Sequence, residues 1–290
     1  MRRPRAHALS ERIGAIGALD GPAHAIDGLL CKLLPPGPVK NALSGSWLGH
    51  ALHPLLTDVP VGTWTSATLL DVLGGEAGRP AARRLIGIGL LAAAPTAWTG
   101  WSDWSDGQAG NDHQRRIGLV HAIANGSAAA LYGASLVARR RGAHTAGVLL
   151  GVAGAGAVGA AGWLGGDLVF ARGIGVDQTV FGEGPADWTP ALDASMLAEG
   201  RPTSATVGAV EVLLVRRDGT IHALADRCSH RGGPLHEGDL VDGCIQCPWH
   251  GSLFRLEDGS LERGPAAYPQ PVFDARERDG RVEIRARRTR

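Results

Sequence analysis

Hydrophobic and polar positions follow two different rhythms along this chain. From about Val59 to Phe170 apolar residues run on with charges confined to short clusters, whereas from about Asp177 onward charged residues are frequent and evenly spread. Four apolar segments stand out: 59–75 (VPVGTWTSATLLDVLGG), 85–101 (LIGIGLLAAAPTAWTGW), 117–138 (IGLVHAIANGSAAALYGASLVA) and 145–170 (TAGVLLGVAGAGAVGAAGWLGGDLVF). A membrane-spanning helix needs roughly 20 mostly apolar residues. The third and fourth segments reach that length with no charge before Asp167, while the first carries Asp71 and the second Pro95. Trp47, Trp98, Trp101, Trp104 and Trp163 flank the segments, as an aromatic interface belt would. Gly147, Gly151, Ala155 and Gly159 recur every four residues, a small-residue stripe that lets helices approach closely in lipid. A water-soluble bundle would show a charged face at a period of about 3.6 residues; the third and fourth segments show none. The pattern predicts four transmembrane helices over residues 46–175, after an amphipathic or irregular lead-in over 1–45 broken by LPPGP at 34–38. The basic start, MRRPRAHALSERIG, has no following apolar run and cleavage site, so no signal peptide is expected. Arg79, Arg83 and Arg84 follow the first segment and Arg139, Arg140 and Arg141 the third, which predicts cytoplasmic loops there and outward termini. The basic N-terminus argues the other way, so the side carrying the C-terminal domain stays open.

Residues 176–290 read as a small β domain. VEVLLVRRDGTIHALAD (210–226) is two β-rich runs around an Arg-Asp-Gly-Thr turn, and VFDARERDGRVEIRARR (272–288) repeats the arrangement around Arg-Asp-Gly-Arg. The length of 290 residues suits about two domains. A net charge of +1 gives no general pull toward nucleic acid. Four cysteines are too few for a disulfide framework in a chain this long, and three of them fall within 228–250.

That stretch, CSHRGGPLHEGDLVDGCIQCPWH, contains Cys228, His230, Cys247 and His250 in the order C-x-H-x16-C-x-x-H. Tetrahedral zinc is one reading of two cysteines and two histidines. Zinc fingers usually pair like with like in each knuckle, whereas here each knuckle holds one Cys and one His. The mixed arrangement suits a [2Fe–2S] cluster in which one iron takes thiolates and the other imidazoles.

Residues 228–254, CSHRGGPLHEGDLVDGCIQCPWHGSLF, resemble the cluster-binding segment of a Rieske iron–sulfur domain, and the resemblance covers about residues 185–288. It implies that Cys228 and Cys247 hold one iron and His230 and His250 the other, in an antiparallel β fold with exposed histidine edges. GPAAYP (264–269) resembles the proline-containing loop that covers the cluster in that family. Quinol-oxidising members carry a loop-bridging cysteine pair, but 231–235 is RGGPL, so no disulfide is expected and Cys244 reads as a packed free thiol. Those members also use a Ser and a Tyr to hydrogen-bond the sulfurs. Ser252 occupies the first position and Phe254 the second, which implies one donor kept, one lost and a potential in the low to middle Rieske range. His236 reads as a loop surface residue.

Residues 50–170 resemble a family of uncharacterised bacterial four-helix membrane domains, through HPLLTDVP (53–60), LLD (69–71), a central histidine and GWLGGDLVF (162–170). Ionisable groups within spans are functional candidates by default; here they are Asp58, Asp71, His121 and Asp167, with His50 and His53 at the entrance. Haem between His53 and His121, or a quinone near His53 and Asp58, competes with the favoured structural role. A complete Rieske oxygenase needs two further histidines and a carboxylate in a large domain after the cluster domain, and the 40 residues after His250 hold no histidine. The expected architecture is a four-helix membrane bundle followed by an all-β Rieske-like domain. The expected function is one-electron transfer between a protein donor and a protein acceptor at a bacterial plasma membrane. The alternatives are a redox or oxygen sensor, or the electron-supplying component of an oxygenase or oxidoreductase system.

Overall fold

A computed structural model describes residues 5–107 and 111–287; Arg2 and Arg3 of the basic start lie outside them. The chain divides into two compact units, residues 1–33 with 52–174 and residues 34–51 with 175–290.

The first unit is helical. Helices α1 (Arg5–Gly14) and α2 (Asp20–Leu33) precede four long ones: α4 (Leu52–Leu73), α5 (Gly75–Ser105), α6 (Asp112–Arg140) and α7 (His144–Gly166). Helices α5 and α6 extend beyond their apolar segments at both ends, while α4 and α7 begin before theirs and end inside them. Among the described residues, 112–140 and 144–171 are long and apolar enough to cross a membrane; α4 and α5 are not among them by that measure. At about 1.5 Å per residue, α4 and α5 have the length, with 22 and 31 residues.

The long helices do have a stripe, with its polarity inverted. Along α5 the buried positions are Gly78, Ala82, Ile86, Gly89, Thr96, Thr99, Ser102 and Ser105. Leu91 on the same helix is 79% exposed, and Leu149 on α7 is 67% exposed. Polar groups thus face inward beside Ala82 and Ile86 while Leu91 and Leu149 face outward, an arrangement a helix folded in water seldom shows. The inward polar groups are bonded: Thr96 Oγ1 donates to Leu56 O at 3.1 Å, and Ser135 Oγ to Gly147 O at 2.5 Å. Arg139 forms a two-pronged ion pair with Asp71, both side chains almost wholly buried (3% and 2% exposed). Arg139 is therefore no loop charge, and Arg79, Arg83 and Arg84 lie inside α5, which starts one residue after α4 ends.

The small-residue stripe on α7 also differs from expectation. Gly147, Gly151 and Gly154 are buried, but Ala155 is half-buried and Gly159 exposed. Each step of four residues overshoots a helical turn by about 40°, so a strict four-residue spacing drifts off the contact face. The continuing buried positions are Ala161 and Leu164. A Cβ at Gly154 would come within 2.9 Å of the Tyr132 ring, which stacks on Trp64 at 4.6 Å.

The second unit is antiparallel β. A six-stranded sheet has the order β1 (Thr189–Asp193), β10 (Arg281–Ala286), β9 (Val272–Arg278), β4 (Thr220–Ala225), β3 (Val210–Arg217), β2 (Thr203–Val207). A four-stranded sheet runs β5 (Asp239–Val241), β6 (Cys244–Gln246), β7 (Leu253–Arg255), β8 (Leu261–Arg263). Three hairpins turn on Asp-Gly pairs with both residues at positive φ: Asp218-Gly219 (51°, 74°), Asp242-Gly243 (46°, 81°) and Asp279-Gly280 (51°, 75°). This is the turn whose twist matches that of paired strands, and Asp-Gly is among its favoured sequences. Strand β3 is buried on both faces. Val212 and Leu214 join a core with Phe273, Val282 and Ile284. Leu213 and Val215 join a second core with Cys228, Cys247, Ile245 and Phe254. The second unit also includes α3 (Pro38–Ser44), which starts at the last residue of the 34–38 breaker and ends at Gly45 with φ +79°.

Candidate metal centre

Two loops carry the four motif residues. The first leaves β4 at Asp226, and the second is the short turn 247–252 between β6 and β7. Each folds back on its cysteine. Cys228 N–H donates to Gly233 O at 2.9 Å and Gly232 N–H to Cys228 O at 2.8 Å; Cys247 N–H donates to Ser252 O at 2.8 Å and Gly251 N–H to Cys247 O at 3.0 Å. Gly232 and Gly251 both need the left-handed backbone, with φ +78° and +74°. Gly233 is tight for a second reason: a Cβ there would lie 3.0 Å from Cys247 Sγ and from the Trp249 ring.

These loops bring like donors together across 19 residues of sequence for the cysteines and 20 for the histidines. Cys228 and Cys247 are hydrogen-bonded to each other, and the His230 and His250 rings lie 5.1 Å apart between centroids, nearly perpendicular. The backbone N–H groups of His230 and Arg231 aim at Cys228, and those of Trp249 and His250 aim at Cys247. The thiol pair shares a proton. Their mutual hydrogen bond and then burial hold Cys228 well above its ordinary range, and the same bond brings Cys247 down to about 7. Burial, then the charges of Arg231, His250 and Lys40, hold His230 well below its ordinary value, which favours the neutral, ligating imidazole. One sulfur near the thiolate form, a second that shares its proton, and a neutral imidazole fit a cluster whose binding displaces the thiol protons and takes two anionic and two neutral donors. The histidine edges are half-buried rather than exposed.

Ser252 is fully buried; its Oγ accepts the Ala266 N–H at 3.0 Å, which leaves the hydroxyl proton free to be donated. Phe254 is buried in the second core. Cys244, on β6, is a buried free thiol, and burial raises it. His236 does more than sit on a surface: its N–H and Nδ1 bond the buried Asp226 carboxylate at 2.8 and 2.6 Å, closing the first loop at its two ends. The sequence reading missed Asp226 and also Gln270. The buried Gln270 amide donates to Ala225 O (2.7 Å) and Arg227 O (2.6 Å) and accepts from Ser229 N–H (3.0 Å), while Ser229 Oγ donates to Tyr268 O (3.0 Å). A lone Gln after a proline-rich loop carries no local signal of this role.

Most candidates of the helical unit are bonded within the protein. Asp71 pairs with Arg139, and Asp167 bonds Ser10 Oγ (3.0 Å) and Arg172 (2.7 Å). Asp58 and His50 are exposed. His53 and His121 do come together, with ring centroids 6.5 Å apart. Each gives its Nδ1–H to a carbonyl on another helix, His53 to Thr96 O and His121 to Ala161 O, both at 2.9 Å. His121 Nε2 also accepts from Asn125 at 3.1 Å, so both of its ring nitrogens are engaged by protein.

Comparison with known proteins divides the chain in the same places. Residues 187–274 match the Rieske [2Fe-2S] domain family, and residues 49–178 match a family described as a predicted membrane protein, DUF2231. Apoptosis-inducing factor 3 of Mus musculus is 38% identical over 90 residues, 31% of this chain, but the chain spans only 15% of that protein's length. The anthranilate 1,2-dioxygenase ferredoxin subunit of Burkholderia cepacia is 31% identical over 99 residues, 34% of this chain and 92% of that protein. Among solved structures, the ferredoxin of carbazole 1,9a-dioxygenase from Nocardioides aromaticivorans IC177 is 23% identical with a TM-score of 0.34, over 35% of this chain and 100% of that one.

Proposed function

Because the chain belongs to the Rieske [2Fe–2S] domain family, here joined to a DUF2231 membrane domain, we propose that it is a membrane-anchored one-electron carrier. In this reading Cys228 and Cys247 hold one iron, and His230 and His250 the other. The carrying observation is the pairing of like donors: two hydrogen-bonded thiols aimed at by four backbone N–H groups, beside two imidazoles 5.1 Å apart. A single metal ion asks for three or more donors around one point, and among the described residues no group of three or more His, Cys, Asp or Glu is so arranged.

The bound cluster supplies reversible uptake of one electron. The chain's own part is to hold the thiolates with N–H donors, to exclude water with Leu235, Ile245 and Phe254, and to offer the imidazoles as the electron route. Ser252 keeps a hydroxyl for the sulfurs where Phe254 offers none, which supports a potential in the low to middle Rieske range. The membrane part is read as four spanning helices, α4 to α7, in a bacterial plasma membrane. Their inward polar groups and outward aliphatic side chains support this. The match to a dioxygenase ferredoxin subunit favours an oxygenase-type protein as the acceptor, with the donor a second protein.

Low-temperature EPR of dithionite-reduced membranes containing the full-length protein tests the reading. A rhombic signal of a His-ligated [2Fe–2S] cluster is expected, and its loss in both C228S and C247S. A silent sample that contains zinc would overturn it. A haem α-band in the optical spectrum of the same sample would assign His53 and His121 to that cofactor.

A further inference from the structure

Residues 34–48 belong to neither family match, yet they fall in one compact unit with residues 175–290. Ser46, two residues past the end of α3, donates its hydroxyl to Ala266 O at 2.7 Å. Ala266 lies in the proline loop and is fully buried in the core that holds Cys228 and Cys247. Its amide is engaged as well: Ala266 N–H donates to Ser252 Oγ at 3.0 Å. One residue thus bonds Ser46 through its carbonyl and the buried serine of the second ligand loop through its amide.

The β unit leaves room for this contact. Gly264 is not among the glycines at positive φ. What excludes a side chain there is segment 36–46: a Cβ would collide with Ser46 Oγ and stand 3.0 Å from Asn41 Oδ1. Pro36 Cγ lies 3.6 Å from where a Cβ of Gly251 would be, one residue beyond His250. Arg263 joins the two loops by donating to Gly251 O at 2.8 Å. Segment 36–46 therefore touches both the proline loop and the second ligand loop.

A serine hydroxyl carries one proton, which swings about the C–O bond to suit its surroundings. Accepting the Ala266 N–H occupies one side of the Ser252 oxygen and restricts that swing. Fixing Ala266 at its carbonyl therefore narrows the directions in which Ser252 can donate. In the cluster reading, that proton is available to a sulfur, and such a bond stabilises the reduced, more negative centre.

We propose that residues 36–46 strap the proline loop and that Ser46 is a positioning residue. By holding Ala266 it keeps the Ser252 hydroxyl oriented to donate, and so raises the potential of the centre. This rests on the cluster reading above. Ser46 acts through Ala266 and Ser252 and needs no contact with the centre itself.

The test is potentiometric titration of the rhombic EPR signal in the full-length protein, comparing wild type, S46A, S46T, S252A and S46A/S252A. S252A should lower the reduced-to-oxidised ratio at a fixed poise about tenfold and S46A about threefold, or about 59 and about 28 mV for a one-electron couple. S46T keeps the hydroxyl and the wild-type midpoint, and the double variant titrates with S252A. Hydrogen exchange gives a second readout in cluster-free full-length protein: S46A should speed exchange in residues 264–270 and leave β3 unchanged. S46A at the wild-type midpoint, S46T shifted as far as S46A, or a double variant displaced a further threefold from S252A would each overturn the inference. If S46A loads no cluster, exchange decides: a loosened 264–270 beside an unchanged β3 sustains the positioning role, and an unchanged loop overturns it. Absence of the rhombic signal from wild type would instead overturn the cluster reading beneath it.

Discussion

The helical unit hides Thr96, Thr99, Ser102, Ser135, Asp71 and Arg139 and exposes Leu69, Val72, Leu91 and Leu149. The β unit hides Val212, Leu213, Leu214, Leu224 and Ile284 and lays charged pairs such as Arg276–Glu283 and Arg285–Asp274 along its strands. Taken as two proteins, they differ inside: the helical unit buries these polar groups alongside Ile86, Ile117 and Tyr132, whereas the two cores of the β unit are apolar. In water, burial of aliphatic surface holds a fold together, and the β unit is built on that. In lipid that force between helices disappears, and close packing of small residues with internal hydrogen bonds takes its place. The difference is what the lipid setting proposed for the helical unit and an aqueous setting for the β unit would each favour.

The largest test of this contrast is the Arg139–Asp71 pair. Removing one partner of a buried ion pair leaves a bare charge and costs roughly 3–5 kcal/mol, whereas removing both costs much less. R139A and D71A should each lower the thermal midpoint of detergent-solubilised protein sharply, and D71A/R139A should recover part of the loss. The rhombic EPR signal should survive in material that remains folded. Single variants as stable as wild type would mean that the pair is exposed to water and the inverted interior is misread.

Next comes the outer surface. Asp at the centre of a spanning helix disfavours insertion by about 2.5–3.5 kcal/mol. L91D should therefore deplete the protein from the membrane fraction. Met196, as exposed on the β unit as Leu91 is on its helix in kind though less in degree (66%), offers the control: M196D should shift stability by no more than about 0.5 kcal/mol. Folded, detergent-free L91D protein would break the comparison outright, because both units would then share one solvent.

What the sequence revealed follows the range of each interaction. The four motif donors lie within 23 residues, and the three Asp-Gly turns each need only a pair of neighbours, so the centre and the hairpins were legible. The apolar lengths of α6 and α7 are also local facts. By contrast, Arg139 meets Asp71 across 68 residues, Gln270 reaches Arg227 across 43, and Ser46 reaches Ala266 across 220. No periodicity encodes such partners. The four-residue glycine spacing misled for the opposite reason: it was local, and the helical period carried Gly159 away from the face that Gly147 and Gly151 share.

The smallest effect lies inside the β unit, where the buried polar interior holds a shared proton instead of an ion pair. In the cluster-free protein, the thiolate absorbance of Cys247 should titrate near 7, two units below its ordinary value of 9.0, with Cys228 following far higher. Because folding lowers the Cys247 value, this group adds stability that is fully present above pH 9 and fades as pH falls through about 7. Cys228 works in the other sense, since its raised value favours the folded form only while its thiol stays protonated. C228A removes the proton donor and should return Cys247 toward 9, leaving only the lowering due to the Trp249 and His250 N–H groups. A single wild-type transition at or above 9 would mean that the two sulfurs are not paired without metal. The β unit would then need the cluster to organise its centre, whereas the helical unit satisfies its buried charges with its own side chains.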